Sequence, residues 1–267
     1  NIFADILFVK TFSMGIAGTA WATFVCQGIS CICSVLLILK RLSAIAAGPD
    51  VCLFSWNLLK KLSIIAIPSI LQQSFISIGN IMIQGCINGF GVSVAAGYSA
   101  AVKLNNLVIT SFTTIGNGMS NFSAQNIGAN QFLRVKEGFR GGIKLVWILC
   151  LPLCLLYLCF GKYLLLLFMD SSSEQALHTG QQFLFILSPF YFVVSVKLIA
   201  DGILRGAGAM KQFMVATFSD LALRVILAFL FSGILDAAIG IWLAWPVGWC
   251  IGTGISICFY KKLLAKK

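Results

Sequence analysis

Seven mostly apolar stretches, at about 15–39, 62–89, 94–122, 142–160, 180–204, 212–234 and 237–260, alternate with short segments that hold much of the charge. Each is about 20 residues or longer, and at about 1.5 Å per residue that length crosses a hydrocarbon layer about 30 Å thick. A transmembrane β-strand would alternate apolar and polar positions, whereas the run from Leu145 to Phe160 is apolar throughout. The pattern predicts an all-α polytopic membrane protein with about seven transmembrane helices.

Composition agrees. Hydrophobic residues make up 59% of the 267, charged residues only 10%, and the mean hydropathy is +0.97. A net charge of +11 in a water-soluble chain would suggest nucleic acid, but here the placement of the charge matters more than its size. Lys40, Arg41, Lys60 and Lys61 fall in the first gap; Arg134, Lys136, Arg140 and Lys144 in the third; Arg205 and Lys211 in the fifth; Lys261, Lys262, Lys266 and Lys267 in the tail. The other side holds Lys10 and Lys162 with Asp5, Asp170, Glu174 and Asp236. The positive-inside rule then makes the first side and the C-terminus cytoplasmic, and no nucleic acid is expected as partner. Most of the ten cysteines, such as Cys26, Cys86, Cys150, Cys154 and Cys250, lie within the spans as small apolar residues. No Cys-x-x-Cys pair occurs and the one histidine, His178, falls in an outer loop, so neither a metal site nor a cofactor is expected.

Organisation follows from the gaps. Residues 1–14 read as an outer loop or the end of a preceding helix, 15–39 as the last helix of one lobe, 40–61 as a cytoplasmic linker and 62–267 as a six-helix lobe. The linker carries Gly48, Pro49 and Asp50 between two basic pairs. The first and last spans share a Gly-Ile opening, a following Trp (Trp21, Trp245) and a basic end (Lys40-Arg41, Lys261-Lys262), the trace that parallel repeats leave in transporters. No charged n-region precedes an apolar core, and the opening at Asn1 is read as a truncation.

Several short motifs carry a family resemblance. Asn1 to Phe8 followed by Met14 to Thr23, Ile67-Pro68-Ser69, Gly97 to Ala101 with Lys103, Gln125 to Ala129 ahead of Arg134, and Gly202 to Gly208 occur in the order and spacing seen in MATE transporters, the multidrug and toxic compound extrusion family, which the chain resembles over nearly its whole length. The resemblance implies the sixth helix and the second lobe of a two-lobe antiporter, with a missing N-terminal lobe as partner. It also implies secondary active export of small organic, often cationic compounds across the plasma membrane, driven by a proton or sodium ion. Some family members carry a cation-binding acid about three turns before the Arg205-Gly206 pair; Val193 and Val194 stand there in this chain. In others the acid lies on the first helix of the first lobe.

Two polar rows are candidates for lining a cavity. Gln73, Ser77, Asn80, Gln84 and Asn88 recur at helical spacing on the second span, and Lys103, Asn106, Thr110, Thr113 and Asn117 on the third. A full-length polar stripe in lipid must face protein or water, because an unpartnered amide in hydrocarbon costs several kcal/mol. Interhelical hydrogen bonding is the plainer account, worth about 0.6 kcal/mol per contact. Asp220 and Arg224 sit i, i+4 on the sixth span, as a permanent ion pair or as an ion-coupling switch. Lys197, Asp201 and Arg205 form a second i, i+4, i+8 ladder, with Asp201 expected near the interface. Gln125, Asn126 and Gly128 read as a turn or cap at the exit of the third span, ordering a basic loop from Arg134 to Lys144. Pro68, Pro152, Pro189 and Pro246 fall inside spans, and Pro189 and Pro246 are the hinge candidates.

Alternatives to export are a lipid-linked glycan flippase of the wider superfamily, for which Lys103 and Arg224 supply positive charge, and a non-transporting truncated remnant. A membrane enzyme would need a His/carboxylate or paired-carboxylate constellation near one interface, which His178 and the scattered acids do not supply.

Overall fold

A computed structural model describes residues 1–43, 54–169 and 173–265. The chain divides into two units, Asn1–Trp56 and Asn57–Lys267. In the first, a short helix α1 (Ile2–Ile6) runs into a π-helical turn (Leu7–Thr11) and then a long apolar helix α2 (Gly15–Ser43). The turn lies against the start of α2, where a Cβ on Gly18 would come within 3.2 Å of the Phe8 carbonyl.

The second unit is built from α3 (Trp56–Asn88), α4 (Val92–Gly128), α5 (Phe132–Leu165), α6 (Glu174–Leu187), α7 (Tyr191–Gly206), α8 (Met210–Leu235) and α9 (Ile239–Ala265). A 3₁₀ turn at Ser188–Phe190 separates α6 from α7, so the fifth expected span is one bent path from Glu174 to Gly206. Among the described residues seven spans are long and apolar enough to cross a membrane, as the hydrophobic pattern predicts. The protein is an all-helical, multi-pass membrane protein.

The helices outrun the apolar stretches. Helix α5 begins at Phe132, so Arg134, Lys136, Arg140 and Lys144 are helical and not a basic loop. Of the turn or cap expected at Gln125, Asn126 and Gly128, the structure shows the closing turn of α4: the Asn126 side chain donates to Phe122 O at 2.8 Å, and the chain turns at Asn130 with φ +58°. Lys60 and Lys61, assigned to the linker, belong to α3. Hydropathy marks only the part of a helix that matches hydrocarbon, whereas the backbone ladder continues into the polar layer wherever no Gly or Pro stops it. Gly48, Pro49, Asp50, Cys52, Asp170, Lys266 and Lys267 lie outside the described residues.

Local chemistry sets the ends. Ser173 caps α6 by accepting from the Ala176 N–H at 3.3 Å, with Glu174 in the first turn. Gly91 and Gly208, at φ +101° and +70°, make the tight turns from α3 to α4 and from α7 to α8, a conformation that a Cβ would strain. Helix α4 runs through the centre of the unit. Trp242 of α9 stacks on its Tyr98 at 5.3 Å, with Phe183 of α6 edge-on to both. Nearby, the Tyr191 hydroxyl donates to Asn105 Oδ1 at 3.1 Å and the Tyr157 hydroxyl to Leu104 O at 2.8 Å. Those bonds tie α5 and α7 to α4 and satisfy polar groups sealed from lipid and water. Where α4 crosses α7, Gly116 and Gly202 let the backbones touch; a Cβ on Gly116 would lie 2.8 Å from Leu198 O.

Candidate functional site

The i, i+4 spacing of Lys197 and Asp201 places both on one face of α7, and the same spacing does so for Asp220 and Arg224 on α8. The two faces meet. Lys197 Nζ lies 2.7 Å from Asp201 Oδ2 and 3.7 Å from Asp220 Oδ2, while Arg224 Nη2 lies 3.1 Å from the same Asp220 oxygen. From α9, the Ser256 hydroxyl donates to Asp201 Oδ1 at 2.6 Å, and the Trp245 ring lies under the Arg224 guanidinium at 4.6 Å. Two carboxylates and two cations thus form one chain of charge joining α7 and α8, against which α9 sets a hydroxyl and a ring. The charged side chains are 5% to 11% exposed.

The two ladders read separately from the sequence are therefore one cluster. Asp201, expected near the interface and largely salt-bridged, is paired with Lys197 and only 5% exposed. Its ladder also stops short, because Arg205 donates to Asn117 Oδ1 of α4 at 2.7 Å and lies over the Phe213 ring at 5.6 Å. Sequence reasoning missed Ser256 and the α9 face it belongs to. Gly248, Gly252 and Ser256 recur at i, i+4 and i+8, and that spacing was the available signal. A Cβ on Gly252 would come within 2.8 Å of both Lys197 Cε and Asp220 Cβ, and one on Gly248 within 3.0 Å of Asp220 Oδ1. Small residues on α9 make the room in which the charges lie.

The cluster opens onto a cavity of about 320 Å³. Of the two predicted stripes, Gln73, Asn80, Asn106 and Thr113 line it, together with Gln72 and Asn105 that the pattern did not single out. Its far wall is Lys197, Asp201, Asp220 and Arg224 with the Trp245 and Trp249 rings. Ser77, Gln84, Asn88, Lys103, Thr110 and Asn117 lie outside this lining. Ser77 bonds back to Gln73 O and Gln84 donates to Asn88, both within α3, so part of the stripe is satisfied locally. Lys103, within one turn of Asn106 on α4, lies 5.6 Å from the Phe168 ring. Pro189 sits in the 3₁₀ break, and Pro246 is buried inside α9, which continues past it. Among the described residues no three His, Cys, Asp or Glu side chains gather where they could hold a metal ion.

Chemically, this arrangement balances two buried carboxylates against two cations. Each carboxylate is bound to a cation from its own helix, and Asp220 also reaches Lys197 across the helix gap. Protonating Asp220 would weaken both its ties at once, and with them a link between α7 and α8.

The family model described as MatE matches residues 68–230. The chain is 29% identical over 253 residues to a probable multidrug resistance protein, YpnP, of Bacillus subtilis (strain 168), a match covering 95% of this chain and 54% of that protein. It is 24% identical over 259 residues to a second, YoeA, of the same organism, covering 95% and 56%. The chain spans about half the length of these curated relatives. Among solved structures it superposes on an outward-facing multidrug resistance MATE family transporter of the MOP superfamily with a TM-score of 0.87 at 18% identity, over 99% of this chain and 60% of that one. A MOP superfamily transporter from Pyrococcus furiosus Vc1 (DSM3638), described as having a binding pocket of reverse polarity, gives 0.87 at 19% identity, over 100% and 60%. At these identities the likeness establishes the fold.

Proposed function

Because the chain belongs to the MatE family, we propose that it serves in a secondary active transporter that exports small organic compounds across the plasma membrane in exchange for an inward-moving proton or sodium ion. The orientation proposed with it places the C-terminus in the cytoplasm. The observation that supports this reading best is the buried cluster of Lys197, Asp201, Asp220 and Arg224 on the wall of a polar, aromatic-lined cavity. Charges that deep are costly, at about 2.5–3.5 kcal/mol each near the bilayer centre, and intramembrane ionisable residues that face a cavity mark ion and substrate paths. The amides of α3 and α4 and the rings of Trp245 and Trp249 suit an amphipathic organic molecule.

Alternating access needs two packings of the lobe whose balance the ion shifts. Asp220 links α7 and α8 through Lys197 in the packing observed here. A proton taken up by Asp220 breaks that link and frees Arg224; its release restores both.

The test is gradient-driven efflux by the protein reconstituted in vesicles, with an imposed pH or sodium gradient. Asp220→Asn is expected to lower efflux at least tenfold while substrate binding and folding persist. Full gradient-driven efflux in the double variant Asp220→Asn, Arg224→Gln would instead show that the pair is structural and overturn the coupling role of Asp220.

A further inference from the structure

We propose that Lys197 is a tethered cation: its ammonium occupies, between Asp201 and Asp220, the place that a free metal cation would take, so that this group of helices works without binding sodium. The proposal rests on the ion-coupled reading above and narrows it. Three observations support it.

The first is geometry. The ammonium is 2.7 Å from one carboxylate and 3.7 Å from another on a different helix, and the Ser256 hydroxyl donates to the remaining oxygen of Asp201. Two carboxylates brought together from separate helices are what a small hard cation would seek, and here a side chain of the protein supplies the positive charge.

The second is charge balance. The charged groups that face one another are Lys197 and Asp201 of α7 and Asp220 and Arg224 of α8, with Arg205 farther along α7; α9 faces them with the uncharged Ser256 and Trp245. Two carboxylates already meet two cations. None of the other described acids, Asp5, Glu137, Glu174 and Asp236, is buried, so among the described residues no third buried carboxylate stands ready to balance a sodium ion entering beside Lys197.

The third is space. Gly252 lies against the Lys197 stem and the Asp220 Cβ, where an added methyl would come within 2.8 Å of both. On the α9 side the slot fits closely around the lysine stem.

The consequence can be measured. Removing the tether leaves Asp201 and Asp220 against Arg224 alone, a net negative site with an ammonium-sized gap that a sodium ion can enter. Purified protein is unfolded thermally in sodium chloride and in choline chloride at equal ionic strength, for the unaltered protein, Lys197→Ala and Lys197→Met. The methionine keeps the apolar stem packed on Gly252. Each variant is expected to gain a sodium-specific rise in Tm of about 3 °C or more over any response of the unaltered protein. Adding Asp220→Asn is expected to remove the gain. Equal sodium responses in the unaltered protein and both variants would overturn the proposal, as would a response of the unaltered protein that Asp220→Asn abolishes. Variants that fold in neither salt also count against it, since a free cation would then have failed to replace the tethered one. The melting comparison does not depend on transport. Loss of gradient-driven efflux in the unaltered protein would refute the transport reading and leave this result standing.

Discussion

Asp220 carries more of the site than any other single residue, because it accepts from Arg224 on its own helix and lies within ion-pair distance of Lys197 on the next. Its surroundings depend on what is absent from α9. Gly252 has no Cβ to press on Asp220 and Lys197, so the charges can approach the helix backbone closely. Gly252→Ala is therefore expected to destabilise the protein by about 1–3 kcal/mol, because both displaced neighbours are themselves held in ion pairs. Thermal unfolding in detergent, with the exposed Gly254→Ala as control, checks this; Gly254 has nothing within 4 Å of its missing Cβ. Equal stability of the two variants would mean that the cluster relaxes freely. At this scale the sequence showed both i, i+4 pairs through their spacing alone. It did not show that Lys197 reaches Asp220, since that contact joins two helices and no local period encodes it.

At the scale of elements, the bend between α6 and α7 stands out from an otherwise continuous set of helices. Pro189 lacks the N–H that would continue the ladder, and the chain passes through a 3₁₀ turn before α7 begins at Tyr191. Lys197 and Asp201 follow within the next three turns, so a change of angle there would move them relative to α8. If this bend works as a hinge, Pro189→Ala should lower efflux turnover several-fold with little change in substrate affinity. Unchanged turnover would reduce the bend to a static kink. The proline itself was plain in the sequence, and so was the similar Pro246, yet α9 runs on through that position. Pro68 and Pro152 likewise lie inside continuous helices, so a proline alone does not set a break. Helix ends were misjudged for a related reason. The basic residues Arg134 to Lys144 signalled an exit from hydrocarbon correctly, but exit from hydrocarbon is not the end of a helix.

For the whole molecule, orientation is the expectation with the widest reach. The proposed orientation, argued from the bias of Lys and Arg toward alternate gaps, puts the start of α5 in the cytoplasm and the start of α6 outside. A single cysteine at Lys136 should then react with a membrane-impermeant thiol reagent only from the cytoplasmic side, and one at Glu174 only from outside; both positions are exposed. Reversed labelling would invert the proposed direction of transport. What the sequence by itself determined is the class of solvent, the number of spans and the residues able to carry charge within them. These follow from one-dimensional quantities, namely length, hydropathy and spacing, because a helix in lipid satisfies its backbone internally whatever its neighbours do. Only the tertiary structure decided which polar residues share a cavity and which bond within their own helix. Gln73 and Asn106 face one space while Gln84 donates to Asn88. It also decided that Lys197 would span two carboxylates and that the small residues of α9 would make room for it. Those outcomes depend on the rotation and separation of packed helices. In lipid that packing rests on close backbone approach at glycines and on a few buried polar bonds, neither of which a hydrophobic period records.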